Sequence, residues 1–331
     1  MPAPLLIVGQ GVAGTLLAWE FERAGFDFEI ADAGHDEAAS RVAAGIVNPI
    51  TGRRFVKNWR VETLLPAARA AYRELEGALG IPLLREMRVW RMFDAPGDRA
   101  LASMKLVRGE WGPFVDPASL NDDGFWIESA VHVDLPVLLS AARRRWLAQG
   151  RLQVRRVNVM EERDRRDVVV RCVGVAAMAE PIGTPYERAR GELLRLAVKA
   201  GTLESSVIRN LGAWMLPLDT ERALVGATYD RAASDLSPSE KSRVELERHA
   251  KRLLEGHAFT AQGRQIGWRV TVPDRRPVVG RLPGDDRVGV INGLGSKGTL
   301  YAPWLARQWV NHLSEGVPFD PEVDVKRFAA G

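Results

Sequence analysis

Residues 4 to 32 constrain this chain more than any other stretch. An apolar run, Pro4-Leu5-Leu6-Ile7-Val8, leads into Gly9-Gln10-Gly11-Val12-Ala13-Gly14. Ala13, Leu16, Leu17, Phe21 and Ala24 then recur at helical spacing, and Gly25, a second apolar run at 28 to 31 and Asp32 follow. Strand, G-x-G-x-x-G, helix, strand and acid in that order form the dinucleotide-binding fingerprint, whereas three glycines alone would be weak evidence. Gly9 permits the turn out of the strand, Gly11 lets the backbone approach a pyrophosphate, and Gly14 lets the helix pack closely on the sheet. With Val12 and Ala13 they open a helix whose N–H groups and dipole stabilise an anion without a lysine. Asp32, 18 residues after Gly14, is placed to accept ribose hydroxyls, which favours FAD or NAD over NADP.

At 331 residues the chain exceeds the usual size of a single core, so two domains are expected. No run reaches the ~18 apolar residues of a membrane span. The N-terminus also lacks a basic region followed by a signal-type apolar stretch, so the expectation is a cytoplasmic protein. Cys172 is the one cysteine and the five histidines show no metal spacing, so neither a disulfide nor a metal site is expected. The net charge is only +4. Arg143-Arg144-Arg145, Arg155-Arg156 and Arg163 to Arg166 are spread among acids, which reads as solvated surface and not as a nucleic-acid patch.

Further along, residues 39 to 49 are small and turn-rich, and read as a loop passing close to something. Periodicity predicts a helix over 61 to 80, short strands and turns over 83 to 127, and a helix over 135 to 149 capped by Asp134. Strands are expected at 152 to 159, 168 to 173 and through 190 to 228. Ser237-Pro238-Ser239-Glu240 reads as a capping box that starts a helix to about 255. Strands near 264 to 280 and 288 to 292 lead to Gly293-Leu294-Gly295-Ser296-Lys297-Gly298 and a helix over 299 to 315. That turn is no P-loop, because its lysine precedes the last glycine. Nor is it a G-x-S-x-G elbow, because Leu294 stands where the first glycine should be.

In this order the motifs resemble the FAD-dependent D-amino acid oxidase and glycine oxidase family over nearly the whole chain. The fingerprint comes first, and Ala39 to Asn48 is similar to the loop that wraps the flavin in that family, which implies contacts from Ser40, Arg41, Ala44, Gly45 and Ile46. Val157 and the strand and turn ending at Gly174 look like the adenine-side segment, and Arg190-Gly191-Glu192 like the crossing into the substrate domain. Trp214-Met215-Leu216-Pro217 and Val225-Gly226-Ala227-Thr228 are similar to the strands that roof the flavin. Residues 267 to 274, 277 to 280 and the turn carrying Gly293, Gly295, Ser296, Lys297, Gly298 and Thr299 look like the C-terminal signature.

The resemblance implies an α/β (α+β two-domain) fold: a Rossmann-like FAD-binding domain from residues 1–60, 130–189 and 262–331, and a mostly antiparallel-sheet substrate domain from 61–129 and 190–261. It implies FAD as cofactor and a small-molecule amine or amino acid as substrate. A hydride would leave the carbon beside the nitrogen for flavin N5, and the imine would hydrolyse. Arg269 matches the arginine that grips the substrate carboxylate, a role suited to paired N–H donors; from the residues alone, a salt-bridged arginine is the alternative. Trp214 stands where relatives tend to carry a tyrosine, and Ser296 where glycine oxidase has a second arginine, with Lys297 beside it. The C-terminal turn is also similar to the oxidase half of the bifunctional enzyme that trims carboxymethylaminomethyl-uridine in tRNA. Three functions therefore stand: an oxidoreductase of small carboxylated amines, an oxidase of a modified tRNA nucleoside, and a flavin-binding interaction protein with a relaxed pocket.

FAD is expected to be held without a covalent bond, since Cys172 lies outside the C-terminal signature and no histidine stands in the loop after Gly45. Acid precipitation should leave the yellow colour in the supernatant; a flavin peptide surviving digestion would overturn this.

Overall fold

In the computed structural model, which describes residues 4–34, 38–179 and 183–329, the strand Leu5–Val8 sits at the middle of a six-stranded sheet. Its order is Val278–Leu282, Asp285–Asn292, Val168–Arg171, Leu5–Val8, Phe28–Ala31 and Leu152–Gln153. The last five run parallel and Val278–Leu282 closes one edge antiparallel. Leu5, Leu6, Ile7, Val168, Val169 and Val170 are all buried, the continuous apolar run that a parallel sheet covered on both faces requires.

The helices Val12–Arg23 and Gly298–Glu315, from opposite ends of the sequence, pack against each other beside this sheet. Glu20, only 3% exposed, links them through Arg307 at 2.8 Å. Trp309 is fully buried. It occupies the space left by Gly289, where a methyl group would lie 2.2 Å from its ring carbons, and its indole N–H points to the Val290 carbonyl at 3.4 Å.

An eight-stranded second sheet runs in the order Phe259–Thr271, Glu187–Val198, Arg222–Gly226, Ala213–Pro217, Val207–Leu211, Leu84–Met92, Gly124–Val133 and Ile46–Val47. It is antiparallel except between Val207–Leu211 and Leu84–Met92. The helix Glu240–Leu253 covers part of it, packing Leu246, Ala250 and Leu253 on Leu194, Leu196, Met215 and Val225. Glu192, wholly buried there, receives Arg264 at 3.0 Å and the Ser239 N–H at 3.2 Å. The helix Val61–Leu79 ties the two parts together, since the Tyr72 hydroxyl donates to the Thr299 carbonyl at 3.0 Å.

Four local expectations are corrected. Residues 39 to 49 are not all loop: they hold the helix Ala39–Val42 and the strand Ile46–Val47, which finds its partner far along the chain, at Val131 and His132. A helix, Asp98–Val107, interrupts the expected strands and turns; only Ala102 on it is buried, so it shows no apolar stripe in sequence. The strand from 152 stops at Gln153, and Asn158 then caps a short helix, Val159–Arg163. The helix after Pro238 starts at Glu240, and Ser239, not Ser237, supplies the cap by accepting the Ser242 N–H at 3.1 Å. Among the described residues no helix is long and apolar enough to cross a membrane.

Trp309→Ala should destabilise the protein by about 3–5 kcal/mol, the usual range for emptying a buried indole site. Urea unfolding followed by fluorescence would measure it, and a loss under about 1 kcal/mol would mean that Gly289 and its neighbours collapse into the space.

Candidate functional site

Two glycine turns meet at the carboxyl ends of the parallel strands, where open sheets of this kind bind ligands. Gly9 leaves the first strand at φ +98°, and a methyl group on it would lie 2.6 Å from the Cys172 carbonyl oxygen. A methyl group on Gly14 would lie 1.9 Å from the Gly9 carbonyl oxygen. These two glycines are required by the packing of strand, turn and helix. Gly11 is different: around it only the Ser40 side chain comes within 4 Å of where a methyl group would sit. A larger side chain would fill a cradle there.

The helix Val12–Arg23 begins at this cradle with no cap from its own N-cap residue, and the Val12 N–H is taken by the Ser40 hydroxyl at 3.0 Å. The helix Gly298–Glu315 begins at Lys297, also without a side-chain cap. The two starts lie together, since a methyl group on Gly298 would sit 3.1 Å from the Val12 side chain. Two positive helix ends over a bare glycine are a donor set suited to a diphosphate, so the residues fit the pyrophosphate of FAD.

Asp32 closes the second strand. Its Oδ2 accepts the Gln10 N–H at 2.9 Å, and its Oδ1 accepts the Gly34 N–H and Arg143 Nη1, both at 2.8 Å. Burial alone would raise this carboxyl, but the two N–H groups and Arg143 outweigh it and hold the group below the usual aspartate range.

Other expected residues are distributed around the crease. Ser40 and Arg41 ride on the helix Ala39–Val42, which packs against Phe259–Thr271. Ala44 abuts the main core, and Gly45 stands at φ +64° with the Val133 carbonyl 1.9 Å from any added methyl group, which fixes Ile46 opposite His132. The Gly174 carbonyl accepts from the Asn292 side chain at 3.0 Å. Val157 joins only through the apolar cluster of Leu6, Ala31 and Val169. In the C-terminal turn Gly293 and Gly295 have φ of +67° and +56°, and the Gly295 N–H donates to the Val270 carbonyl at 2.8 Å, which sets the turn beside the strand of Arg269. Ser296 is exposed and Thr299 buried.

Arg269 pairs across the ladder with Ala189, so its side chain reaches the bare Gly191 two residues along. A methyl group on Gly191 would lie 2.3 Å from Nη1 and 2.4 Å from Cζ. Nη1 donates to the Thr228 carbonyl at 2.9 Å and Cζ lies 5.7 Å from the Tyr229 ring centre. Burial lowers the pKa of this guanidinium, and among the described residues no carboxylate pairs with it. Lys297 is similar: burial and the nearby Arg275 lower its pKa, and among the described residues no carboxylate meets it. Trp214 is half-buried in the same sheet, opposite Gly226.

Sequence reasoning missed three participants. Arg143, read as solvated surface, holds Asp32 from 111 residues away. Gly191 gives the slot for Arg269, and Thr228 its hydrogen-bond acceptor. No spacing signals the first. Gly191 and Thr228 stood within motifs singled out in sequence, and the pairing of 187–198 with 259–271 brings Gly191 under Arg269. Surface clefts of about 310 Å³ beside Trp90, Trp126 and Met215, and about 420 Å³ beside Arg53, Asp94 and Arg252, lie apart from these residues.

A family profile described as FAD dependent oxidoreductase matches residues 5–311. The chain is similar to the tRNA 5-methylaminomethyl-2-thiouridine biosynthesis bifunctional protein of Azoarcus sp. (strain BH72), with 25% identity across 97% of this chain; it spans 58% of the length of that relative. It is 24% identical to glycine oxidase of Pseudomonas aeruginosa across 97% of this chain and 98% of that protein. In fold it is similar to iminodiacetate oxidase from Chelativorans sp. BNC1, with a TM-score of 0.78, 20% identity and 98% of each chain covered.

Gly11→Val should fill the cradle and push aside the Ser40 hydroxyl, 3.2 Å from an added methyl group, while the backbone is kept, since Gly11 has an ordinary extended conformation (φ −77°, ψ −168°) that valine adopts. The variant is expected to purify folded but colourless, with FAD affinity reduced by roughly a hundredfold or more, on the order of 3 kcal/mol. Titration with FAD checks it, and parental affinity would place the pyrophosphate elsewhere.

Proposed function

Because the chain belongs to the FAD dependent oxidoreductase family, and is thus an enzyme that works with FAD, we propose that it oxidises the C–N bond of an amino acid or small carboxylated amine. Bound FAD supplies the acceptor for the hydride that leaves the carbon beside the nitrogen. As the hydride leaves, the nitrogen gives up a proton and the substrate becomes an imine, which water converts to a carbonyl compound and ammonia or an amine.

Arg269 is the observation on which the proposal stands. A guanidinium laid on a glycine, held by one carbonyl and met by no carboxylate among the described residues, is a cation kept for an anion supplied from outside. A buried charge without a partner is costly, and a bound carboxylate removes that cost while its two oxygens match the paired N–H donors. Thr228 and Gly191 fix the plane of the guanidinium, and so the orientation of the substrate it grips. Similarity to glycine oxidase supports the same class of substrate. A second reading, in which the amine is carried on a modified tRNA nucleoside, is favoured by the similarity to the Azoarcus bifunctional protein.

Anaerobic mixing of the purified enzyme with a panel of free amino acids and secondary amines, and with hypomodified tRNA, separates the two through bleaching of the flavin absorbance. Arg269→Ala should lower the reductive rate constant per substrate concentration by roughly 30-fold to several thousand-fold with FAD retained, because losing a buried charged partner costs on the order of 2 to 5 kcal/mol. Arg269→Lys should restore only part of it, an ammonium being unable to hold both oxygens in one plane. An Arg269→Ala enzyme as fast as the parent on a carboxylated amine would remove the amino acid assignment.

A further inference from the structure

We infer that Arg143 is a positioning residue for the adenosine half of the cofactor site, acting through Asp32. The inference concerns cofactor binding and stands apart from the choice of substrate. Arg143 lies on the helix Leu135–Ala148, far in sequence from the fingerprint, yet its Nη1 reaches both Asp32 Oδ1 at 2.8 Å and Gln10 Oε1 at 3.0 Å. The Arg143 and Asp32 side chains are only 17% and 12% exposed. Gln10 fastens the same helix a second time, donating from Nε2 to the Leu139 carbonyl at 2.9 Å. Nη2 lies 3.8 Å from where a methyl group on Gly34 would sit, so the guanidinium spans the turn that follows the second strand.

The acceptor count on Asp32 gives this arrangement its meaning. An ionised carboxylate offers about four acceptor positions, two on each oxygen. Gly34 and Arg143 take two on Oδ1, and Gln10 takes one on Oδ2. One position on Oδ2 is left. Asp32 therefore presents a single directed acceptor to a ribose hydroxyl, and Arg143 is what closes Oδ1 and fixes the plane of the carboxylate. Without Arg143 the carboxylate would be held only by the two N–H groups and could turn. Among the described residues Arg143 Nε and Nη2 make no hydrogen bond.

The test is the FAD dissociation constant, read from the recovery of flavin fluorescence on dilution of the holoenzyme, for the parent, Arg143→Ala, Arg143→Lys, Asp32→Asn and the Asp32→Asn/Arg143→Ala double variant. Arg143→Ala should bind FAD roughly 10- to 100-fold more weakly, with Arg143→Lys between it and the parent. In the Asp32→Asn background, removing Arg143 should change the constant by less than about twofold, since the two residues act as one unit. An Arg143→Ala constant within twofold of the parent would overturn the inference. So would full additivity with Asp32→Asn, which would mean a role that does not pass through Asp32. Should Arg143→Ala fail to fold, Arg143→Lys alone and in the Asp32→Asn background decides by the same two comparisons.

Discussion

The crease at the carboxyl ends of the parallel strands depends on backbone lying directly on backbone at Gly9 and Gly14. The Gly14 Cα faces the Gly9 carbonyl so closely that even a methyl group would overlap it, and Gly9 is pressed in the same way against Cys172. That proximity sets the helix Val12–Arg23 hard against the strand it follows, with its N-terminus at the strand's carboxyl end. The helix then offers a surface to Gly298–Glu315, and Glu20 with Arg307 locks the pair. Once both helices are fixed, their positive ends converge and no side chain has to be added to attract an anion. A cation supplied by a long side chain would be mobile, whereas these N–H groups are fixed by the fold itself.

Charge is distributed unevenly between the structural parts and the crease. Away from it, several buried charges are matched, Glu192 with Arg264, Glu20 with Arg307, and Arg166 with Glu29 at 2.7 Å, while the buried Arg91 is met by the Asn210 side chain instead. At the crease, Arg269 and Lys297 are desolvated and have no carboxylate partner among the described residues. Cations left in this condition weaken a fold, and they persist where a ligand completes them.

The fingerprint, the helices Val12–Arg23, Val61–Leu79 and Leu135–Ala148, and the cap at Asp134 were legible because each is a local pattern whose physics is complete within about thirty residues. Ala39–Val42 was not, being a single turn with no buried residue, and Asp98–Val107 buries one alanine. The partner of Asp32 was hidden for another reason. The strand Leu152–Gln153 lies beside Phe28–Ala31, and that adjacency delivers the preceding helix, with Arg143, to the end of the second strand. Strand order is a property of the whole sheet, and three consecutive arginines look alike until it is known which one the sheet turns inward.

The order of strands also has a consequence for how the protein is made. During synthesis the first strand and its glycine turn emerge well before one of its neighbours, Val168–Arg171, and the strand beyond that, Asp285–Asn292, comes later still. The second helix end that faces the crease begins at Gly298. Until those strands emerge, the unit around the first strand is therefore an incomplete sheet with an apolar edge awaiting a partner, a condition that favours misassembly in slow, non-local topologies. The crease closes only after Gly298 has emerged, so a nascent chain cannot assemble the proposed cofactor site ahead of the fold around it.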